Sequence, residues 1–261
     1  MHMGRTIVIT SGKGGVGKTT CVANIATALA LLNYSVVAID ADIGLRNLDV
    51  VMGMEDRITY NLVDLTEKKC RIKQALISDK RVDNLYIIAS SQTKDKTSVS
   101  PSEMKELTKE LRGIFDFTII DCPAGIEHGF KNAIAGADEA IVVVTPQVSS
   151  VRDADKILTL LDREPFEEVS LLINRARADM MKKGEMMSIQ DMLDILPAKL
   201  IGVVPEDKNV VITSNMGEPL VLSESPTKKA YLNIAKRITG QEVPLMEIGK
   251  KNPFARIFAN I

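Results

Sequence analysis

Two lysines five positions apart, Lys13 and Lys18, stand in a run of glycines within "ITSGKGGVGKTTCVANIA", residues 9–26. Gly12, Lys13, Gly14, Gly15, Val16, Gly17, Lys18 and Thr19, followed by Thr20, satisfy G-x-x-x-x-G-K-[ST], with an apolar strand pattern before and a helical pattern after. Glycines let the backbone turn tightly enough to bring its N–H groups against phosphate oxygens, and a helix starting near Lys18 adds its positive end. Lys18 is placed to neutralise the β- and γ-phosphates, and the Thr19 hydroxyl suits Mg²⁺. One lysine suffices for that. Two ammonium groups on one short loop repel each other unless a polyanion lies between them, so Lys13 either points to solvent or serves a phosphate as well.

Carboxylates follow at matching places. "IDADIGLRNLD" (39–49) puts Asp40 and Asp42 at the carboxyl end of a strand pattern, where an open α/β sheet binds its ligand. Alternation along an extended strand end sets both on one side, where they repel unless a cation intervenes. "TIIDCPAG" (118–125) places Asp121 after another apolar run, in position to hold Mg²⁺ through water. Taken singly, each strand-end Asp reads equally as a helix N-cap or turn former. Together with the loop they compose a site for a magnesium-bound nucleotide. Pro123, Ala124 and Gly125 suit a segment that moves when the γ-phosphate leaves. Asn174, and the pair Pro205 and Glu206, end two further strand patterns on the same edge, and Asn174 reads equally as a turn residue.

These residues need a sheet to hold them. Apolar, β-branched runs at 5–10, 35–40, 84–90, 116–121, 139–145, 169–174 and 199–205 alternate with helical patterns at 18–32, 101–113, 128–136, 149–163, 188–194 and 226–239. Runs of this kind, rather than strict alternation, indicate strands covered on both faces. The expected fold is α/β: a mostly parallel twisted sheet with helices on both faces, built by right-handed crossovers. Residues 176–187, charged and Met-rich, are expected to form a mobile excursion. Of 261 residues, 45% are apolar, enough for one large domain, here 1–240. The sequence shows neither a signal-peptide pattern nor an apolar run of spanning length. Cys21, Cys70 and Cys122 lie far apart without a C-x-x-C pair, which disfavours a zinc site, an iron–sulfur carrier or a disulfide framework. Lys plus Arg (33) nearly balance Asp plus Glu (34), which argues against wholesale coating of nucleic acid and leaves only a local basic patch open.

The chain closes differently. Residues 241–251 read as a linker, and 252–261, "NPFARIFANI", carry a pattern of their own. Asn252 suits an N-cap and Pro253 the first helical position, and Phe254, Ile257, Phe258 and Ile261 fall at i, i+3, i+4 and i+7. Lys250, Lys251 and Arg256 favour anionic headgroups, so the tail is expected to target a membrane surface. A helix docking on its own domain, or a frayed end, is the alternative.

Read as K-G-G-x-G-K-[ST], the loop resembles the deviant Walker A motif of the MinD/ParA family of ATPases. "DIGLRNLD" (42–49), "DCPAGIE" (121–127), "SSVRDADKIL" (149–158) and "GVVPED" (202–207) are similar to the septum-site-determining branch of that family. The resemblance implies a P-loop ATPase that hydrolyses ATP with Mg²⁺ and forms an ATP-dependent homodimer, with Lys13 reaching the partner's nucleotide. It also implies that Asp40 lies near the Mg²⁺ water shell and that Asp42 orients or deprotonates the attacking water. Asn174, Pro205 and Glu206 become adenine contacts, and helix 149–163 a partner segment. By the same resemblance the chain is cytoplasmic and peripheral on the inner face of the cell membrane, recruits the division inhibitor MinC and responds to MinE. A ParA-like DNA-partition ATPase is the alternative; it wants a basic dimer face, which the near-neutral charge balance does not favour. A metabolic P-loop kinase would need an acceptor site, and no constellation proposes one.

Overall fold

The computed structural model describes residues 3–95 and 97–246. Its frame is one eight-stranded sheet: β1 (Arg5–Thr10), β2 (Val36–Asp40), β3 (Ile77–Ser78), β4 (Leu85–Ile88), β5 (Phe117–Asp121), β6 (Glu139–Val144), β7 (Glu168–Ala176) and β8 (Lys199–Pro205). Their order is β3-β4-β2-β5-β1-β6-β7-β8, parallel throughout except for the β3–β4 pair. The seven runs expected from sequence are seven of these strands. Only β3, two residues long and antiparallel at the edge, lacks a sequence signal.

Helices α1 (Lys18–Leu31), α2 (Leu48–Val51), α3 (Leu62–Thr66), α4 (Ile72–Ala75), α5 (Pro101–Leu111), α6 (His128–Ala135), α7 (Val148–Leu161), α8 (Ala178–Lys182), α9 (Ile189–Ile195), α10 (Lys208–Asn215) and α11 (Pro226–Ile238) cover the sheet. The strand pleat divides the core into two layers. Ile7 and Ile9 of β1, Val36 and Ala38 of β2 and Ile119 of β5 face α1 and α11, where Tyr231 is fully buried. Their neighbours Val8, Val37, Ile39 and Ile120 face α5, α6 and α7. Both layers are apolar, which is why the strands read as runs. α1 is built from small residues because it is buried along most of its length between the sheet and α11. Residues 176–187, expected as an excursion, instead carry the end of β7 and α8.

The order places β1 between β5 and β6, while β2 lies beyond β5. The connections after β1, β2 and β5 therefore emerge side by side at the carboxyl edge, near the point where strand order reverses.

Candidate functional site

The loop after β1 is shaped by its glycines and braced from below. Gly15 and Gly17 adopt φ of +76° and +94°, a region side chains rarely occupy. Asn174, buried at the end of β7, donates from Nδ2 to the Val16 carbonyl at 2.8 Å. A Cβ on Gly17 would lie 2.6 Å from that same nitrogen, so the brace itself requires glycine there. Ser11 Oγ donates to the Lys13 carbonyl at 2.8 Å. α1 starts at Lys18 without a side-chain cap, which leaves the loop end without a side-chain acceptor for its first N–H groups. Such a helix start is complementary to an anion.

Opposite the loop, three carboxylates crowd one another. Asp40 and Asp121 end adjacent strands and are register partners. Asp40 is fully buried and accepts three backbone N–H groups: Asp42 at 3.0 Å on Oδ1, and Asn47 and Leu48 at 2.9 and 3.1 Å on Oδ2. Burial pushes its pKa up, the three donors pull it down, and the Asp42 charge adds to the rise. Asp121 is pushed up further, first by burial and then by Asp40; a hydrogen bond with Thr19 and the charge of Lys18 oppose this. Its Oδ1 is buried without a hydrogen-bond partner. The site thus buries more carboxylate groups than its donors satisfy in ionised form, which is the demand a divalent cation meets. Among the described residues no three His, Cys, Asp or Glu side chains converge into a cage. Mg²⁺ does not require one, because it takes one or two carboxylates together with substrate phosphates and water.

The fold and motif have counterparts among known proteins. Residues 4–167 match the family model described as AAA domain. The septum site-determining protein MinD of Bacillus subtilis is 52% identical over 253 residues, spanning 96% of this chain and 94% of that protein. The chain belongs to the MinD family. Among solved structures, the MinC:MinD cell division protein complex of Aquifex aeolicus superposes with a TM-score of 0.86 at 43% identity, covering 93% of this chain and 99% of that one. MinD complexed with Mg-ADP from Pyrococcus horikoshii gives 0.82 at 28% identity, covering 99% and 100%.

In this MinD-family chain the remaining residues singled out by sequence fall as follows. Lys18 is largely buried and acts electrostatically on Asp121 and Cys122. Lys13 is exposed and donates from Nζ to Ser149 Oγ of α7 at 3.1 Å. α7 presses closely on the loop, for a Cβ on Gly12 would come within 2.3 Å of the Asp153 carbonyl. Thr20 gives its carbonyl to Asn24 Nδ2, and Asn24 Oδ1 accepts from Val221, which ties the start of α1 to the approach to α11. Asp42 is half-buried beside Asp40. Pro205 ends β8, and Glu206, exposed, lies 3.7 Å from Arg177. A cavity of about 140 Å³ opens between Gly14, Gly15, Pro146, Arg175 and Glu206. Phe254, Ile257, Phe258 and Ile261 lie outside the described residues.

Three neighbours of the site were not anticipated. Arg175 holds a left-handed φ of 55° where the β7–β8 register shifts. Ser149 receives Lys13, and Arg46, also left-handed, pairs with the buried Asp49 behind the 42–48 loop. A bulge depends on cross-strand register, which one sequence does not display. The "RNLD" spacing did carry a signal, an Arg and an Asp at i and i+3.

Proposed function

We propose that the chain is an ATP-hydrolysing switch of division-site selection that pairs with a second copy when ATP is bound and attaches to the membrane as a pair. The observation that carries this is Asp121: a buried carboxylate with an unpartnered oxygen, hydrogen-bonded to Thr19 next to an uncapped helix start. The residues fit a magnesium nucleotide. Thr19 and Asp121 would hold Mg²⁺, with Asp40 behind them in its water shell. The cation supplies charge neutralisation at the β- and γ-phosphates.

The chain's own groups divide the remaining work. The N–H groups of Gly14 through Thr19 cradle the phosphates, with Lys18 against the β- and γ-oxygens. Asp40 organises the 42–48 loop through its three backbone donors and so fixes where Asp42 stands. Asp42 orients the attacking water and takes its proton as the oxygen bonds to the γ-phosphorus; the bond to the β-phosphate oxygen breaks and ADP leaves with phosphate. Lys13 has a weak tie to Ser149 in the single chain and exchanges it for the partner's phosphates in the dimer, which supplies positive charge in trans. Asn174, Pro205 and Glu206 lie at the edge where the adenine ring is placed.

The Aquifex neighbour is described as a MinC:MinD complex. By extension this chain recruits MinC, with MinE as the stimulating partner and α7 as the segment both consult. The near-neutral charge and the septum-site relatives do not favour DNA partition as an alternative. Among the described residues no helix is long and apolar enough to cross a membrane. Attachment is assigned to 252–261, with 1–240 as the ATPase domain and 241–251 as the connection. Each large apolar residue of that stripe contributes on the order of 1 kcal/mol, and ordering ten residues costs about as much per residue, so one tail is marginal. Two tails on one dimer gain from effective concentration. The protein then resides in the cytoplasm and on the inner face of the membrane.

Light scattering with a nonhydrolysable ATP analogue tests the reading. Wild type is expected to double in mass, while Lys18→Ala and Lys13→Ala remain single chains. A wild-type chain that stays monomeric at saturation, or either variant forming the full dimer, defeats it.

A further inference from the structure

The segment after α11 is described as far as Met246, and it is not loose. α11 ends in a paired-bond terminus: Gly240, at φ +82°, donates to the Arg237 carbonyl at 3.0 Å, and Gln241 donates to the Lys236 carbonyl at 2.9 Å. That turn reverses the chain onto its own helix. Arg237, half-buried, then uses its guanidinium as a three-way clasp. Nε donates to the Val243 carbonyl at 2.9 Å, Nη2 to the Pro244 carbonyl at 2.6 Å, and Nη1 to the Ile201 carbonyl of β8 at 2.8 Å. Met246 packs against the core layer under α1 and α11. A second arginine anchors the same corner: Arg5, paired with Glu139, donates to the Ile238 carbonyl at 2.6 Å. A cleft of about 650 Å³ opens between this strap and the amino ends of the strands.

Only a planar fork with several fixed donors can tie β8 to two successive carbonyls of another segment. The geometry points to Arg237 as the residue that sets the length of the membrane tether, by making 241–246 part of the folded domain. Five residues of sequence, 247–251, rather than the eleven of 241–251, then separate the folded domain from the tail. This rests on the proposed membrane role of 252–261. Effective concentration falls roughly as the three-halves power of tether length, so releasing the strap is expected to weaken ATP-dependent membrane binding about threefold.

The test uses the full chain and vesicles of phosphatidylglycerol and phosphatidylethanolamine. Arg237→Ala is expected to keep its ATP-dependent dimer, lose about threefold in vesicle binding, and become roughly tenfold more sensitive to Glu-specific proteolysis after Glu242. Arg237→Lys, with one donor group in place of a fork, should fall between. A six-residue Gly-Ser insertion after Met246, with Arg237 intact, should reproduce the binding loss without the proteolytic change. Deleting 242–246 in the Arg237→Ala chain restores a short tether and should restore binding, which a general loss of stability would not allow. Unchanged cleavage after Glu242, unchanged vesicle binding in Arg237→Ala, or no recovery on shortening overturns the inference. A chain truncated before Asn252 separates the two readings: if it still binds vesicles, the membrane role of the tail fails first.

Discussion

The two ends of the sheet satisfy their charges in opposite ways. At the amino edge every strand start that bears a charge has a partner. Arg5 grips both oxygens of Glu139 at 2.6 and 2.7 Å, Arg112 pairs with Asp138 at 2.6 Å, and Lys199 with Glu168 at 3.1 Å. Asp116 accepts from both the backbone and the hydroxyl of Ser35. At the carboxyl edge, the charges of Asp40 and Asp42 both act on buried Asp121, whose Oδ1 has no hydrogen-bond partner. One edge is finished by the chain itself. The other is finished only by something that brings positive charge and phosphate, and its unmet demand is stored there by the rest of the fold.

The largest effect that sharpens this contrast concerns chemistry. Asp42→Ala is expected to dimerise with ATP yet hydrolyse it at least about a hundredfold more slowly, because a general base is lost while the cradle remains. Phosphate release at the wild-type rate would remove Asp42 from the reaction.

Next comes the cost of the unmet charge. With its pKa raised by burial and by Asp40, folded Asp121 holds a proton that the unfolded chain has already released. Above the ordinary carboxylate range the unfolded state therefore binds fewer protons than the folded one, and stability of the nucleotide-free protein falls as pH rises. Thermal unfolding followed from about pH 5 to about pH 8 should show a midpoint dropping by a few degrees in wild type and by less in Asp121→Asn. Identical slopes would mean that the strain lies elsewhere. Mg²⁺ with ADP should flatten the wild-type slope but not that of the variant.

The same contrast explains what the sequence disclosed. The finished parts of the fold follow local rules. Apolar runs gave the strands, Ser100 with Glu103 and Ser188 with Asp191 close capping boxes at α5 and α9, and Pro101 and Pro226 open their helices. The phosphate loop was legible because its chemistry is written in consecutive residues. Asn174 was legible as a strand-end residue, but its hold on Val16 joins positions 158 apart. Likewise the left-handed Arg175 depends on a shift in register with β8, and β3 is fixed only by pairing with β4. α2, α3 and α4 are four or five residues long, too short for periodicity to register. Residues 241–246 read as a linker by composition, and nothing local announces that Arg237 clasps them.

At the amino edge, Arg5→Ala should cost roughly 2 kcal/mol in urea unfolding, because it strips a half-buried Glu139 of two charge-assisted bonds and frees the Ile238 carbonyl. Nucleotide affinity should not change. A loss of nucleotide binding equal to the loss of stability would show that the two edges are not independent.

The smallest effect decides whether pairing alone, or pairing with burial, distinguishes the edges. Lys68 and Glu106 lie 3.3 Å apart, but their side chains are 78% and 68% exposed. Water already solvates both charges, and holding two long side chains together costs entropy, so Lys68→Ala should shift unfolding by less than about 0.5 kcal/mol. Raising the salt concentration should shrink even that difference, whereas the Arg5→Ala deficit, resting on partly buried groups and a backbone carbonyl, should persist. Equal penalties for the two variants would mean that pairing counts regardless of solvent, and the buried carboxylates of the nucleotide edge would then have no special claim on a cation.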